Sequence, residues 1–153
     1  MTHKILFVCT GNYYRSRFAE LLFNACASRL GLPWKAVSRG IAAELGGMNI
    51  GPISPLVLRK LKLLGIPPET KPRTPLQLNE IDLEEADLVI ALNAAEHRPL
   101  MRRRFPEWVD RIEYWDIPDL HLMGAEDALS GIENNVTAFV EELRQRTPST
   151  ESG

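Results

Sequence analysis

The chain has 153 residues, 44% of them hydrophobic and 25% charged, with a formal charge of −2. That is the composition of an ordinary globular domain, and it offers no overall attraction to nucleic acid or to an anionic membrane. No stretch nears the roughly 18 apolar residues that cross a bilayer, Met1–Lys4 does not read as a signal peptide, and two cysteines cannot make a disulfide framework, so the expectation is a cytoplasmic protein.

Residues 4–9 form a continuous apolar run, as in a central strand buried on both faces. It ends in Cys9-Thr10-Gly11-Asn12-Tyr13-Tyr14-Arg15-Ser16. A cysteine and an arginine separated by five residues, between a strand and a helix, make an anion cradle with a sulfur at its base. Backbone N–H groups of such a turn and the following helix N-terminus attract an anion. Arg15 adds a planar fork suited to phosphate oxygens, and the same features favour a thiolate at Cys9. Gly11 and Asn12 both tolerate the positive φ that a tight turn requires. Ser16 either donates to the Cys9 sulfur or caps the helix. The chemistry indicated is phosphoryl transfer through cysteine, with Thr10 to Ser16 as the phosphate-binding segment.

A helix is expected from near Arg17 to about Leu30, with Phe18, Leu22, Cys26 and Leu30 on its apolar stripe, ended by Gly31 and Pro33. Trp34–Ser38 reads as a second strand. The loop Gly40–Ile53 carries Gly46, Gly47 and Gly51 without dinucleotide-binding spacing. Ser54 caps a helix with Pro55 at its first position and Gly65 after its end. Pro67, Pro68, Pro72 and Pro75 make residues 66–80 a stiff surface connection.

Ala86–Leu92 is a third buried strand. Asn93 and Glu96 have capping-box spacing, yet Pro99 fits poorly inside a helix and argues for a start near Arg98. Arg102-Arg103-Arg104 is read as a solvated helix face. Arg111–Trp115 is the fourth strand, and Ile132, Val136, Phe139, Val140 and Leu143 define a last amphipathic helix. Residues 147–153 lack apolar side chains and are expected to fray, leaving one domain over 1–146. The alternation predicts a single α/β/α domain with a four-stranded parallel sheet in flavodoxin-like order, its ligand outside the carboxyl ends of the strands. His3, His97 and His121 show no ligand spacing, and neither a metal nor another cofactor is called for.

Residues 5–20, Ile-Leu-Phe-Val-Cys-Thr-Gly-Asn-Tyr-Tyr-Arg-Ser-Arg-Phe-Ala-Glu, resemble the opening of the low-molecular-weight protein tyrosine phosphatases, approximately V-C-x-G-N-x-C-R-S-P-x-A-E. Weaker likeness continues through Val37–Gly40, Ala86–Leu92 and Trp115–Asp119. The resemblance implies a flavodoxin-like sheet and hydrolysis of phosphate monoesters, protein phosphotyrosine or a small aryl phosphate, through a phosphocysteine at Cys9. It implies Arg15 as the phosphate ligand and Ser38 as the partner of Asn12. Asp119 becomes the acid and base by its place in an Asp-Pro-like element, with Asp116 as competitor. Inorganic phosphate or a similar oxyanion would occupy the same cradle.

Four departures stand out against that pattern. Tyr14 replaces a second cysteine that protects the nucleophile in many members; Arg17 replaces proline and adds charge at the pocket mouth or faces solvent; Leu120 follows the candidate acid in place of proline; the 40–50 loop has no aromatic residue, leaving Tyr13 to supply a ring surface. Three other readings remain open at this point. A thiol-dependent arsenate reductase would need relay cysteines beyond Cys26, a phosphoarginine phosphatase would sit poorly with bulky Tyr13, and a phosphate- or phosphoprotein-binding module would keep the turn without a working acid.

Overall fold

In the computed structural model, which describes residues 2–46, 49, 51–117 and 125–146, four parallel strands lie in the order β2-β1-β3-β4. They are β1 (His3–Cys9), β2 (Trp34–Gly40), β3 (Leu88–Ala91) and β4 (Glu113–Tyr114). The helices are α1 (Arg15–Leu30), α2 (Pro55–Leu63), α3 (Glu80–Glu85), α4 (Ala94–Arg104) and α5 (Ala125–Arg146). The predicted fold class and sheet order are the observed ones. Among the described residues no helix is long and apolar enough to cross a membrane.

β1 is central because its side chains are apolar on both faces. Ile5 and Phe7 point into a core with Phe18, Leu22, Phe23, Ile132 and Val136, beneath α1 and α5. Leu6 and Val8 point into a second core with Leu83, Val89, Met101 and Val109. Alternation along one strand thus builds both layers of the sandwich. Register brings Cys9 opposite Gly40, and Val8 opposite Ala91. The chain leaving β1 therefore emerges between two neighbours at the carboxyl rim.

The buried face of α1 differs from the predicted stripe. Phe18, Ala19, Leu22, Phe23 and Ala27 are buried, Cys26 is half-buried, and Leu30 is 48% exposed. A strict four-residue spacing drifts about 40° per step on a helix of 3.6 residues per turn, so Leu30 has rotated away from the sheet. The helix also begins at Arg15 instead of near Arg17, with no side-chain cap from Tyr14. Gly31 closes it at φ 67°. Ser54 caps α2 as expected, accepting from Leu56 N at 3.2 Å.

Three further elements depart from the sequence reading. α3 was not expected, yet Asn79 and Asp82 form a reciprocal capping box at its start. α4 starts at Ala94 and runs through Pro99. A proline five residues into a helix removes only one backbone donor, and Asn93 has already secured the first turn through Glu96 N at 2.8 Å. β4 is shorter than Arg111–Trp115, but its line continues through Trp115 N to Ala91 O at 2.8 Å and Ile117 N to Leu92 O at 2.9 Å. The predicted tail, residues 147–153, lies outside the described residues.

Candidate active site

β1 delivers Cys9 to the rim and α1 starts six residues later, so residues 9–15 must turn within one strand end and one helix start. Asn12 makes that turn at φ 55°, the only positive φ among described non-glycine residues. Gly11 was expected to share this role and does not take a positive φ. An asparagine side chain can compensate αL strain with local hydrogen bonds, and Asn12 makes several. Its Nδ2 donates to Ser16 Oγ at 2.8 Å and to Ser38 Oγ at 3.0 Å. Its Oδ1 accepts from Arg73 Nη1 at 2.8 Å and from Leu76 N at 3.0 Å.

Cys9 is 3% exposed at the base of the turn. Its Sγ lies 2.9 Å from Ser16 Oγ and accepts from Asn12 N at 3.3 Å. Ser16 already accepts from Asn12, which leaves its own O–H free to donate to the sulfur. Ser16 sits in the first turn of α1, fully buried, and is not the helix cap. Cys9, Gly11, Tyr13, Tyr14 and Arg15, together with Asn49 and Ser54, line a cavity of about 230 Å³. Tyr14, at the position of the second cysteine in the resembled pattern, is buried.

Gly40 closes the back of the turn. A Cβ there would lie 2.8 Å from Thr10 O, 3.0 Å from Gly11 C and 3.1 Å from Asn12 N, all of them backbone atoms. Behind Asn12 a polar network continues outward. Ser38 donates to Glu20, and Arg73 Nη2 donates to Ser38 Oγ at 2.9 Å and Glu20 Oε1 at 3.1 Å. Arg17 was expected at the pocket mouth or in solvent. It is instead fully buried, paired with Glu20 at 3.3 Å and with Glu69 at 2.8 Å. The two carboxylates pair Nη1 and Nη2 while the buried Nε has no hydrogen-bond partner among the described residues, so the side chain serves the interior and not the mouth.

Glu96 meets the cradle from the other side. The capping-box expectation holds only in part, because the Glu96 carboxylate does not return to Asn93 N. That N–H donates to His97 Nδ1 at 3.0 Å. Glu96 Oε2 instead accepts from Arg15 Nη2 at 2.7 Å and from the Thr10 hydroxyl, and lies 3.1 Å from His97 Nε2. Burial opposes charge on this carboxylate, but the hydrogen bonds from His97, Arg15 and Thr10 outweigh burial and hold it well below the usual carboxylate range. Arg15 Nη1 also reaches Ile117 O at 3.5 Å.

Of the residues singled out in the sequence, the fold gathers Cys9 through Ser16 and Ser38 at one rim. Asp119, the first candidate acid, lies outside the described residues, as do Leu120 and His121. Asp116 bridges Asn93 just past β4 and is exposed. Gly40, Glu20 and Arg73, and Glu96 as a cradle contact, were missed. The family-like Val37–Gly40 segment carried a trace of the first, and the Glu that ends the family-like 5–20 segment a trace of the second.

The profile of the low molecular weight phosphotyrosine protein phosphatases matches residues 4–149. A protein-arginine-phosphatase of Bacillus subtilis (strain 168) is 33% identical over 110 residues, 71% of this chain and 67% of that protein. The low molecular weight protein-tyrosine-phosphatase YfkJ of the same organism is 30% identical over 131 residues, 78% of this chain and 81% of that one. The crystal structure of a low molecular weight protein tyrosine phosphatase from T. tengcongensis is 30% identical. It covers 95% of this chain and 100% of its own, with a TM-score of 0.73.

Proposed function

The chain belongs to the low molecular weight phosphotyrosine protein phosphatase family, and from that premise we propose that it hydrolyses protein phosphotyrosine and small aryl phosphates at Cys9. The carrying observation is a buried sulfur that meets Ser16 Oγ and Asn12 N at the carboxyl end of the central strand, with Arg15 on the same turn. Cys9 Sγ attacks phosphorus, an S–P bond forms, and the ester P–O bond breaks. The leaving oxygen takes a proton from Asp119. Asp119 then removes a proton from water, which attacks phosphorus and releases the sulfur. Ser16 and Asn12 N receive the departing sulfur, while Arg15 holds phosphate oxygens through its fork. Tyr13, on the cavity wall, offers a face to an aromatic leaving group.

Turnover of p-nitrophenyl phosphate tests this directly. Cys9→Ser should abolish it while phosphate binding stays measurable; normal turnover in that variant removes the nucleophile assignment. Asp119→Ala should slow turnover by about 10²–10⁴-fold. A larger loss in Asp116→Ala makes Asp116 the acid. A second reading, phosphoarginine as substrate, is favoured by the 33% identity to the arginine phosphatase. Phosphotyrosine peptides should turn over faster than phosphoarginine peptides, and the opposite order selects the second reading.

A further inference from the structure

Glu96 does something in this fold that neither helix capping nor the phosphatase chemistry above requires. Its Oε2 collects donors from Thr10 and from Arg15 Nη2, residues at opposite ends of the cradle turn, and also lies against His97 Nε2. One oxygen therefore joins the entry and the exit of the turn. The carboxylate is itself held from behind. Asn93 Oδ1 accepts from Glu96 N at 2.8 Å, Asn93 N fixes His97 Nδ1 at 3.0 Å, and Asn93 Nδ2 donates to Ile117 O at 2.8 Å. With Nδ1 accepting, the proton of the fully buried His97 ring belongs on Nε2, facing Glu96.

We propose that Glu96 is a positioning residue that fixes the Arg15 guanidinium through one nitrogen and reduces the positive charge the cradle presents to an oxyanion. This rests on the reading of residues 9–16 as a phosphate cradle. A guanidinium carries five N–H donors. Glu96 engages the planar guanidinium fork at Nη2, and Ile117 O approaches it at Nη1 at 3.5 Å. The carboxylate thus acts in two ways of opposite sign. Its hydrogen bonds hold the fork in place, which favours the transition state. Its charge, next to the binding place of an anion, weakens ground-state occupancy by phosphate.

Glu96→Gln removes the charge and keeps an acceptor; Glu96→Ala removes both. The first readout is the phosphate concentration that halves alkylation of Cys9 by iodoacetamide, followed on the Cys9 peptide by mass spectrometry. It needs no turnover. Glu96→Gln should lower that concentration by about tenfold relative to wild type. The second readout is kcat on p-nitrophenyl phosphate, which should be at least about tenfold lower in Glu96→Ala than in Glu96→Gln. Unchanged phosphate protection in Glu96→Gln, or equal kcat in the two variants, overturns the proposal. Arg15→Ala separates this from failure of the cradle itself: protection at wild-type phosphate concentrations in that variant would remove the cradle, whereas lost protection there with an unaltered Glu96→Gln removes only the role of Glu96.

Discussion

Asn12 and Gly40 carry the geometry that the reacting residues depend on, and they do so by opposite means. Asn12 fills space with hydrogen bonds, while Gly40 withholds an atom. The Gly40 Cβ position is bounded by the backbone of Thr10, Gly11 and Asn12 at 2.8–3.1 Å, so no side-chain rotation can relieve an added methyl. Gly40→Ala should therefore displace the cradle, lowering kcat/KM by about 10–100-fold, because small misplacement of reacting groups is expensive in rate. It should also cost about 1–3 kcal/mol of stability through overpacking. Paired kcat/KM and urea-unfolding measurements check this, and wild-type kcat/KM in the variant would show that the cradle yields. Cys9, Arg15 and Ser16 were legible in the sequence because all three lie within eight consecutive residues, between a strand and a helix. Glu96 and Arg73 were not, because they reach the cradle across 81 and 61 residues. A salt bridge of that span leaves no periodicity to read.

Among the elements, the legible ones were those whose punctuation is local. Gly31 ends α1, and Ser54 with Pro55 starts α2, each by a backbone or capping preference that acts over a few residues. The β1 run was legible because a strand buried on both faces has no polar alternation to hide it. α3 was missed although Asn79-Glu80-Ile81-Asp82 carries a capping box, because six residues give too short a pattern to stand out from the preceding connection. That connection also does more than bridge α2 and α3. Its Arg73, Leu76 and Glu69 reach Asn12 and Arg17, so a proline-rich stretch serves as a strap over the cradle. Pro99 misled in the other direction. Tertiary burial of His97 and Met101 on α4 outweighs one lost backbone hydrogen bond.

At the scale of the molecule, the sheet order places the end of β1 between β2 and β3, so both halves of the chain must supply walls to the cradle. The first half supplies the turn and Gly40, and the second supplies Glu96 from α4 and Ile117 from beyond β4. The Glu96–Arg15 pair is thus a tie between halves, and its charge couples folding to pH. Glu96 is held as a carboxylate to lower pH in the folded chain than in the unfolded one, despite its burial, by donors from His97, Arg15 and Thr10. The sign follows from proton counting. Below the ordinary glutamate range the unfolded chain binds a proton at this position that the native chain refuses, so acid favours unfolding. The stabilisation is complete above about pH 5 and falls away as pH drops through the folded pKa, which lies below the usual carboxylate range. Glu96→Gln has no such proton to take up. The decrease in urea midpoint between pH 5 and pH 3 should therefore be smaller in Glu96→Gln than in wild type, with the other carboxylates contributing equally to both. An equal decrease in the two proteins would mean that Glu96 titrates alike in folded and unfolded chains, and that the tie is neutral in acid.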